Sequence, residues 1–158
     1  MKVYMSTIDL IAKNLGAYAA MLTPPQQARA ARFKNDTRRA QFILGHLMAN
    51  MTGKRYISFG YIDNLVVVAA SNTAPVGVAI SDATAEYDVA AITRDMELAE
   101  SKTKNEFLRN MTFARAKYKI GAHPWSRLFM RYDKYVICMC SSRAFDMPRL
   151  NKFTPTLK

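Results

Sequence analysis

Cysteine, histidine and acidic side chains are scarce in this chain of 158 residues, and each scarcity argues against a class of protein. The two cysteines, Cys138 and Cys140, are too few for a disulfide-built secreted scaffold. They stand two apart in the apolar run Tyr135-Val-Ile-Cys-Met-Cys140. A strand there turns both to one face as small buried hydrophobes, and a bond between such near neighbours would be badly strained. This is the pattern of a reducing, cytoplasmic protein. The two histidines, His46 beside Leu47 and His123 before Pro124, have no cysteine or carboxylate at ligand spacing and read as structural. An export signal is not evident, because Asp9 and Lys13 fall inside what would be its apolar core and no small-residue cleavage site follows. The uncharged stretch Asn64 to Ser81 contains Asn72, Thr73, Pro75 and Gly77, so it reads as two buried strands around a turn rather than a membrane span. No linker, low-complexity tract or exact repeat is visible.

What is present in quantity is apolar and basic. Half the residues are apolar, enough for a sizeable core in one domain or two small lobes, and this composition argues against a mainly disordered chain. Ten methionines and eight phenylalanines suit an adaptable core, some of them suiting a protein-binding surface as well. Twenty-three Lys and Arg against twelve Asp and Glu give a net charge of +11, which favours an anionic partner: a phosphate-bearing ligand, an acidic protein or nucleic acid. Charge alone does not choose among these.

The hydrophobic periodicity divides the chain into short elements. Residues 2 to 9 form a plausible first strand, and Thr23-Pro24-Pro25 opens a helix with Thr23 as its N-cap. Asp36 or Thr37 then caps a helix whose positions Ala40, Ile43, Leu44, Leu47, Met48 and Met51 make a buried stripe, and Gly53 ends it. Tyr56–Phe59, Leu65–Ala70 and Val76–Ile80 read as three strands of a small antiparallel meander. Val89, Ile92, Met96 and Ala99 share one helical face; Phe107, Met111, Ala114 and Tyr118 share another, stopped by Gly121 and Pro124. A strand from Tyr135 to Ser141 precedes a C-terminal tail, residues 146–158, without periodicity. The order β-α-α-β-β-β-α-α-β specifies a mixed α/β (α+β) fold.

Four blocks in this pattern carry a family resemblance. They are Arg32-Phe33 with Arg38-Arg39-Ala-Gln-Phe-Ile-Leu-Gly45-His46; Ile57-Ser-Phe-Gly-Tyr61-Ile-Asp-Asn-Leu-Val-Val-Val-Ala69; Ala74-Pro-Val-Gly-Val-Ala79-Ile-Ser81; and Phe107 to Gly121. Together with the strand Tyr135–Ser141, they resemble the Sfp/AcpT-like 4'-phosphopantetheinyl transferases over roughly residues 22 to 141. The resemblance implies one compact domain over residues 1–145, made of two pseudo-symmetric α/β lobes at about 1–75 and 76–145. It also implies transfer of the phosphopantetheine arm of coenzyme A to a carrier-protein serine, with Mg²⁺ on the pyrophosphate.

That chemistry needs carboxylate oxygens for the hard cation and a base for the serine proton. By residue-for-residue comparison, those positions are replaced. Ala79 and Ser81 stand where the family has its metal-binding D-x-E pair, Ala114 and Arg115 where it has K-E, and Tyr61 where it has the histidine of S-H-S. Alanine offers no ligand and arginine brings a fixed positive charge, so no catalytic or metal-binding residue is assigned and no cofactor is expected. Asp95-Met96-Glu97 is a literal D-x-E, but its helical period separates residues two apart by roughly 200°. Lys119, matching the family's last lysine, and Arg32, Arg38 and Arg39 are the candidates for residual phosphate contact.

The expectation is therefore a degenerate transferase-like protein that acts as a binding or scaffolding partner. An acidic acyl carrier protein, another protein of the pathway or a second copy are the partners considered, with no membrane. The alternative is an active transferase using coenzyme A, Mg²⁺ and Asp95, Glu97 or Glu100. A weaker alternative is nucleic-acid binding, prompted by charge without any recognisable binding signature.

Overall fold

In the computed structural model, which describes residues 1–82, 126–146 and 148–157, two small sheets and three helices form a mixed α/β arrangement. The first sheet has the order β2-β3-β1-β7, from Tyr56–Ile62, Leu65–Ser71, Lys2–Thr7 and Leu150–Lys152. The second has the order β4-β6-β5, from Val76–Asp82, Tyr135–Ser141 and Ser126–Tyr132. Helices α1 (Leu15–Ala19), α2 (Pro24–Ala31) and α3 (Asp36–Thr52) lie between β1 and β2 in the chain. The helices read from Glu86 and Phe107 fall outside the described residues.

The first sheet is covered on both faces, which explains the unbroken apolar sequence of β3. Val66 and Val68 meet α3 through Ile43, Leu44, Leu47 and Met48, while Leu65, Val67 and Ala69 face a second core with Val76, Val78, Ile80, Ile137 and Met139. Successive residues of a strand point to opposite faces, so a strand buried on both sides has no polar alternation to show. The stripe expected on α3 is buried from Ala40 to Met48, but Met51, in the last turn of the helix, is 47% exposed. The helix is capped by Asn35, whose side chain accepts a hydrogen bond from the Arg38 amide at 3.0 Å, one residue earlier than expected. Asp36 instead sits in the first turn, where a negative charge suits the helix dipole. At the other end Gly53 takes φ 60°, a left-handed cap that glycine adopts without strain. Thr23 caps α2 as expected, its amide donating to Gln26 Oε1 at 3.1 Å.

The expected meander is only half present. β2 and β3 form an antiparallel hairpin, but β3's other edge is taken by β1, so β4 crosses to the second sheet and pairs with β6. β5 was hidden in the sequence because Ser126, Arg127 and Arg131 break its apolar run. β7 lies in the stretch read as tail; with only three residues it has no pattern to read, and it pairs parallel to β1 with Val3 opposite Leu150.

The two sheets repeat one topology. In each, the second strand of a hairpin pairs with an earlier strand, β3 with β1 and β6 with β4; the first sheet adds β7 on the far edge of β1. The hairpins β2–β3 and β5–β6 have equal strand lengths and two-residue turns, Asp63-Asn64 and Asp133-Lys134. The first turn residue has positive φ in both, 49° at Asp63 and 52° at Asp133, a region that aspartate visits more readily than most residues. The Asp63 turn also joins the layers: its carbonyl accepts from Gln41 of α3 at 2.9 Å, and its carboxylate from the Tyr135 hydroxyl at 3.3 Å.

Candidate functional site

The connection between α2 and α3 gathers cations. Arg29, Arg32, Lys34, Arg38 and Arg39 fall here with Asp36 as the single acid among them. Arg39 is engaged internally: Nη1 lies 3.4 Å from Asp36 Oδ1, and Nη2 donates to the Phe33 carbonyl at the exit of α2. That is the one ion pair among the described residues, so exposed Arg29, Arg32 and Arg38 have no carboxylate partner there. Arg29 and Arg32 line a shallow groove of about 180 Å³ with half-buried Phe33. The Arg29 guanidinium also stands over the Phe42 ring, 5.4 Å from its centroid, a favourable cation–π position.

From this groove an aromatic strip runs across α3 to β2. Phe33 meets Phe42 at 5.2 Å, Phe42 stacks on His46 at 4.0 Å, His46 on Phe59 at 4.7 Å, and Phe59 lies parallel to Tyr61 at 6.2 Å. The spacing follows from the elements: Phe42 and His46 are one helical turn apart, and Phe59 and Tyr61 share one face of a strand. His46 Nδ1 lies 2.9 Å from the Phe42 carbonyl, which can only accept, so that nitrogen carries the hydrogen. On the far side of His46 and Phe59 a wider groove of about 690 Å³ is lined also by Thr23, Gln26, Asn50 and Lys54.

Tyr61 closes the strip against α3. Its side chain is 37% exposed, yet its hydroxyl lies over Gly45, where an added Cβ would stand 2.7 Å from it. Burial pushes the phenol pKa up from its ordinary value, with Arg38 and Arg29 partly opposing the shift. The group is therefore a neutral phenol near pH 7 and makes a poor base.

The other sequence-derived positions scatter. Ala79, 1% exposed, pairs with Cys138 between β4 and β6 and points away from the core shared by the sheets, because its neighbours Val78 and Ile80 point into it. Tyr61 faces α3 instead, since Gly60 beside it faces Ile80. Ser81 lies on β4 opposite Val136. Cys138 and Cys140 are buried thiols, as their spacing indicated. Arg115, Lys119, Asp95, Glu97, Glu100 and His123 lie outside the described residues. Arg32 and Arg38 belong to the basic face, whereas Arg39 helps hold the helix connection together.

Arg29 is the member of this face that sequence reasoning overlooked. Its signal was present: Arg29, in the last turn of α2, stands three residues before Arg32, the C-cap, and four before Phe33. Among the described residues, no three His, Cys, Asp or Glu side chains gather as metal ligands, and no helix is long and apolar enough to cross a membrane. The face thus offers exposed guanidiniums with no carboxylate partner among the described residues, an apolar ring and a neutral phenol, which can hold an anion. The chain matches no protein-family model, and no curated protein sequence matches it significantly.

Proposed function

We propose that this chain is a phosphopantetheinyl-transferase-like protein without the transferase's metal site, serving as a non-enzymatic binding partner for an acidic protein. The observation that carries the reading is Ala79. On the carried-over alignment this position should present a carboxylate to Mg²⁺, but its side chain is a methyl group sealed in the sheet opposite Cys138. A methyl group donates no electron pair, and hard cations need oxygen ligands. Tyr61, at the slot of the family's histidine, is a phenol whose proton is held more tightly than usual. The repeated strand-and-hairpin order supports the two-lobed family fold, and the basic face supports an anionic partner. A cytoplasmic setting accords with the two buried thiols.

Titration calorimetry with coenzyme A, with and without Mg²⁺, tests this together with a transfer assay onto an acyl carrier protein. The expected result is no transfer and no strengthening of binding by Mg²⁺. Metal-dependent transfer would restore the enzyme and discard the alignment that places Ala79 at the metal.

A further inference from the structure

We propose that two adjoining grooves beside the C-terminal half of α3 form one binding site for a single-chain anionic amphiphile, a free fatty acid in chemical class. Its head lies at Lys54 and its chain runs past Met21 and Asn50 toward Phe153. The site shares no lining residue with the basic groove of Arg29, Arg32 and Phe33, and it does not rest on the function proposed above.

The wider groove, about 690 Å³, and its neighbour, about 350 Å³, share Met21 and Asn50 as walls. Both volumes fall in the range of about 300–1,000 Å³ usual for ligand sites. Their junction follows from helix geometry. His46, Ala49 and Asn50 form one stripe of α3, Leu47, Asn50 and Met51 form the next, and Asn50 belongs to both. At that junction the amides of Gln26 and Asn50 pair reciprocally, Gln26 Nε2 with Asn50 Oδ1 at 3.0 Å and Asn50 Nδ2 with Gln26 Oε1 at 2.8 Å. That pair survives an apolar chain lying across it. Beyond it the smaller groove is walled by Leu47, Met51, Phe153 and Pro155. Methionine side chains such as Met21 and Met51 are flexible and adapt to a chain with many conformers.

Two independent observations set the class of ligand. The first is Lys54, the one lysine or arginine among the described residues that lines either groove. It is half-buried and has no carboxylate partner among the described residues. A partly desolvated ammonium attracts an anion more strongly than a fully hydrated one, and a single cation suits a single charged head rather than a polyanion. The second is the aromatic stack. His46 has Phe42 on one face at 4.0 Å and Phe59 on the other at 4.7 Å, so both of its faces and one face of Phe59 are already taken. A nucleobase would need such faces to stack on, whereas an alkyl chain needs only apolar walls.

The test titrates the full chain with decanoate, decanol and butanoate by calorimetry, each below its micelle or solubility limit. The expected result is one decanoate per chain, with decanol about fivefold weaker for want of the charge. Butanoate, six methylenes shorter, should be about a hundredfold weaker or more. Lys54→Met keeps the apolar stem and should erase the preference for decanoate over decanol. Met51→Glu, at an exposed helix position, should weaken decanol as well as decanoate about tenfold; decanol is uncharged, so its loss reports contact with the groove rather than charge repulsion. Leu10→Gln changes another exposed apolar residue and should leave binding unchanged. Methionine-methyl NMR locates the chain: Met21 and Met51 should shift with decanoate, while Met5 and Met139, in the core between the sheets, should not. Absence of saturable decanoate binding, butanoate within tenfold of decanoate, an undiminished decanoate preference in Lys54→Met, or unmoved Met21 and Met51 resonances would each overturn the proposal.

Discussion

The Tyr61 hydroxyl occupies the space in front of Gly45 so fully that a methyl group on that glycine would stand 2.7 Å from the oxygen and 3.1 Å from Phe59 Cδ1. Glycine in a helix interior costs about 1 kcal/mol relative to alanine, so Gly45 reflects the close crossing of α3 over β2 rather than helix preference. Gly45→Ala should therefore lower stability, since overpacking typically costs about 1–3 kcal/mol and outweighs the propensity gain. In a Tyr61→Ala background most of the penalty should vanish, giving a coupling of about 1 kcal/mol or more in a double-mutant cycle read by urea unfolding. Gly53→Ala is the informative comparison. Nothing lies within 4 Å of its added Cβ, so its cost comes from the positive φ alone and should not depend on Tyr61.

The phenol of Tyr61 should titrate above the ordinary phenol range. Burial raises its folded-state pKa above the unfolded value, so the folded chain holds this proton more tightly than the unfolded chain. The associated stability is fully present below the unfolded phenol's pKa and is lost as pH rises through that value toward the folded one. Compared with Tyr61→Phe, the unmodified protein should lose stability faster with rising pH in the alkaline range, while the difference between them stays constant from pH 6 to 8. Ultraviolet absorbance of phenolate and denaturation at several pH values both check this. An unchanged alkaline slope in Tyr61→Phe would contradict it.

Elements with long one-sided or uninterrupted apolar patterns were legible before any coordinates: α3 from its stripe, β3 and β6 from their runs, and the end of α3 from Gly53. Pairing was not. β3 and β4 are adjacent in sequence and both apolar, and only the occupation of β3's second edge by β1 sends β4 to another sheet. Edge occupancy is a property of the whole chain, so local pattern cannot contain it. At the basic face the individual residues were visible, but their roles were not separable. Arg38 and Arg39 are neighbours in sequence, yet Arg38 is exposed with no carboxylate partner among the described residues while Arg39 binds Asp36 and the Phe33 carbonyl. The difference arises from where α2 ends relative to the first turn of α3.

The C-terminal segment should prove part of the fold rather than an appendage. β7 pairs with β1, the Phe153 amide donates to the Met5 carbonyl at 2.8 Å, and the Tyr18 hydroxyl donates to the Pro155 carbonyl at 3.4 Å. Phe153 itself packs on the core between α3 and the first sheet. Removing residues 147–158 would strip this cover and leave β1 as an open edge with unpaired amides and carbonyls, the usual template for association between chains. The truncated chain should therefore unfold at lower denaturant concentration and form higher-order species in size-exclusion chromatography. Two point variants separate the contributions. Phe153→Ala keeps the strand pairing and should cost about 2–3 kcal/mol, toward the low end for a large aromatic because the ring is only partly buried. Asn151→Pro instead places a proline within the parallel ladder, opposite Tyr4, and removes the Asn151 side-chain hydrogen bond to the Val3 carbonyl at 3.2 Å. If association follows the open edge, this variant should self-associate more than Phe153→Ala at equal stability. If both associate equally, lost core packing rather than the exposed edge controls aggregation.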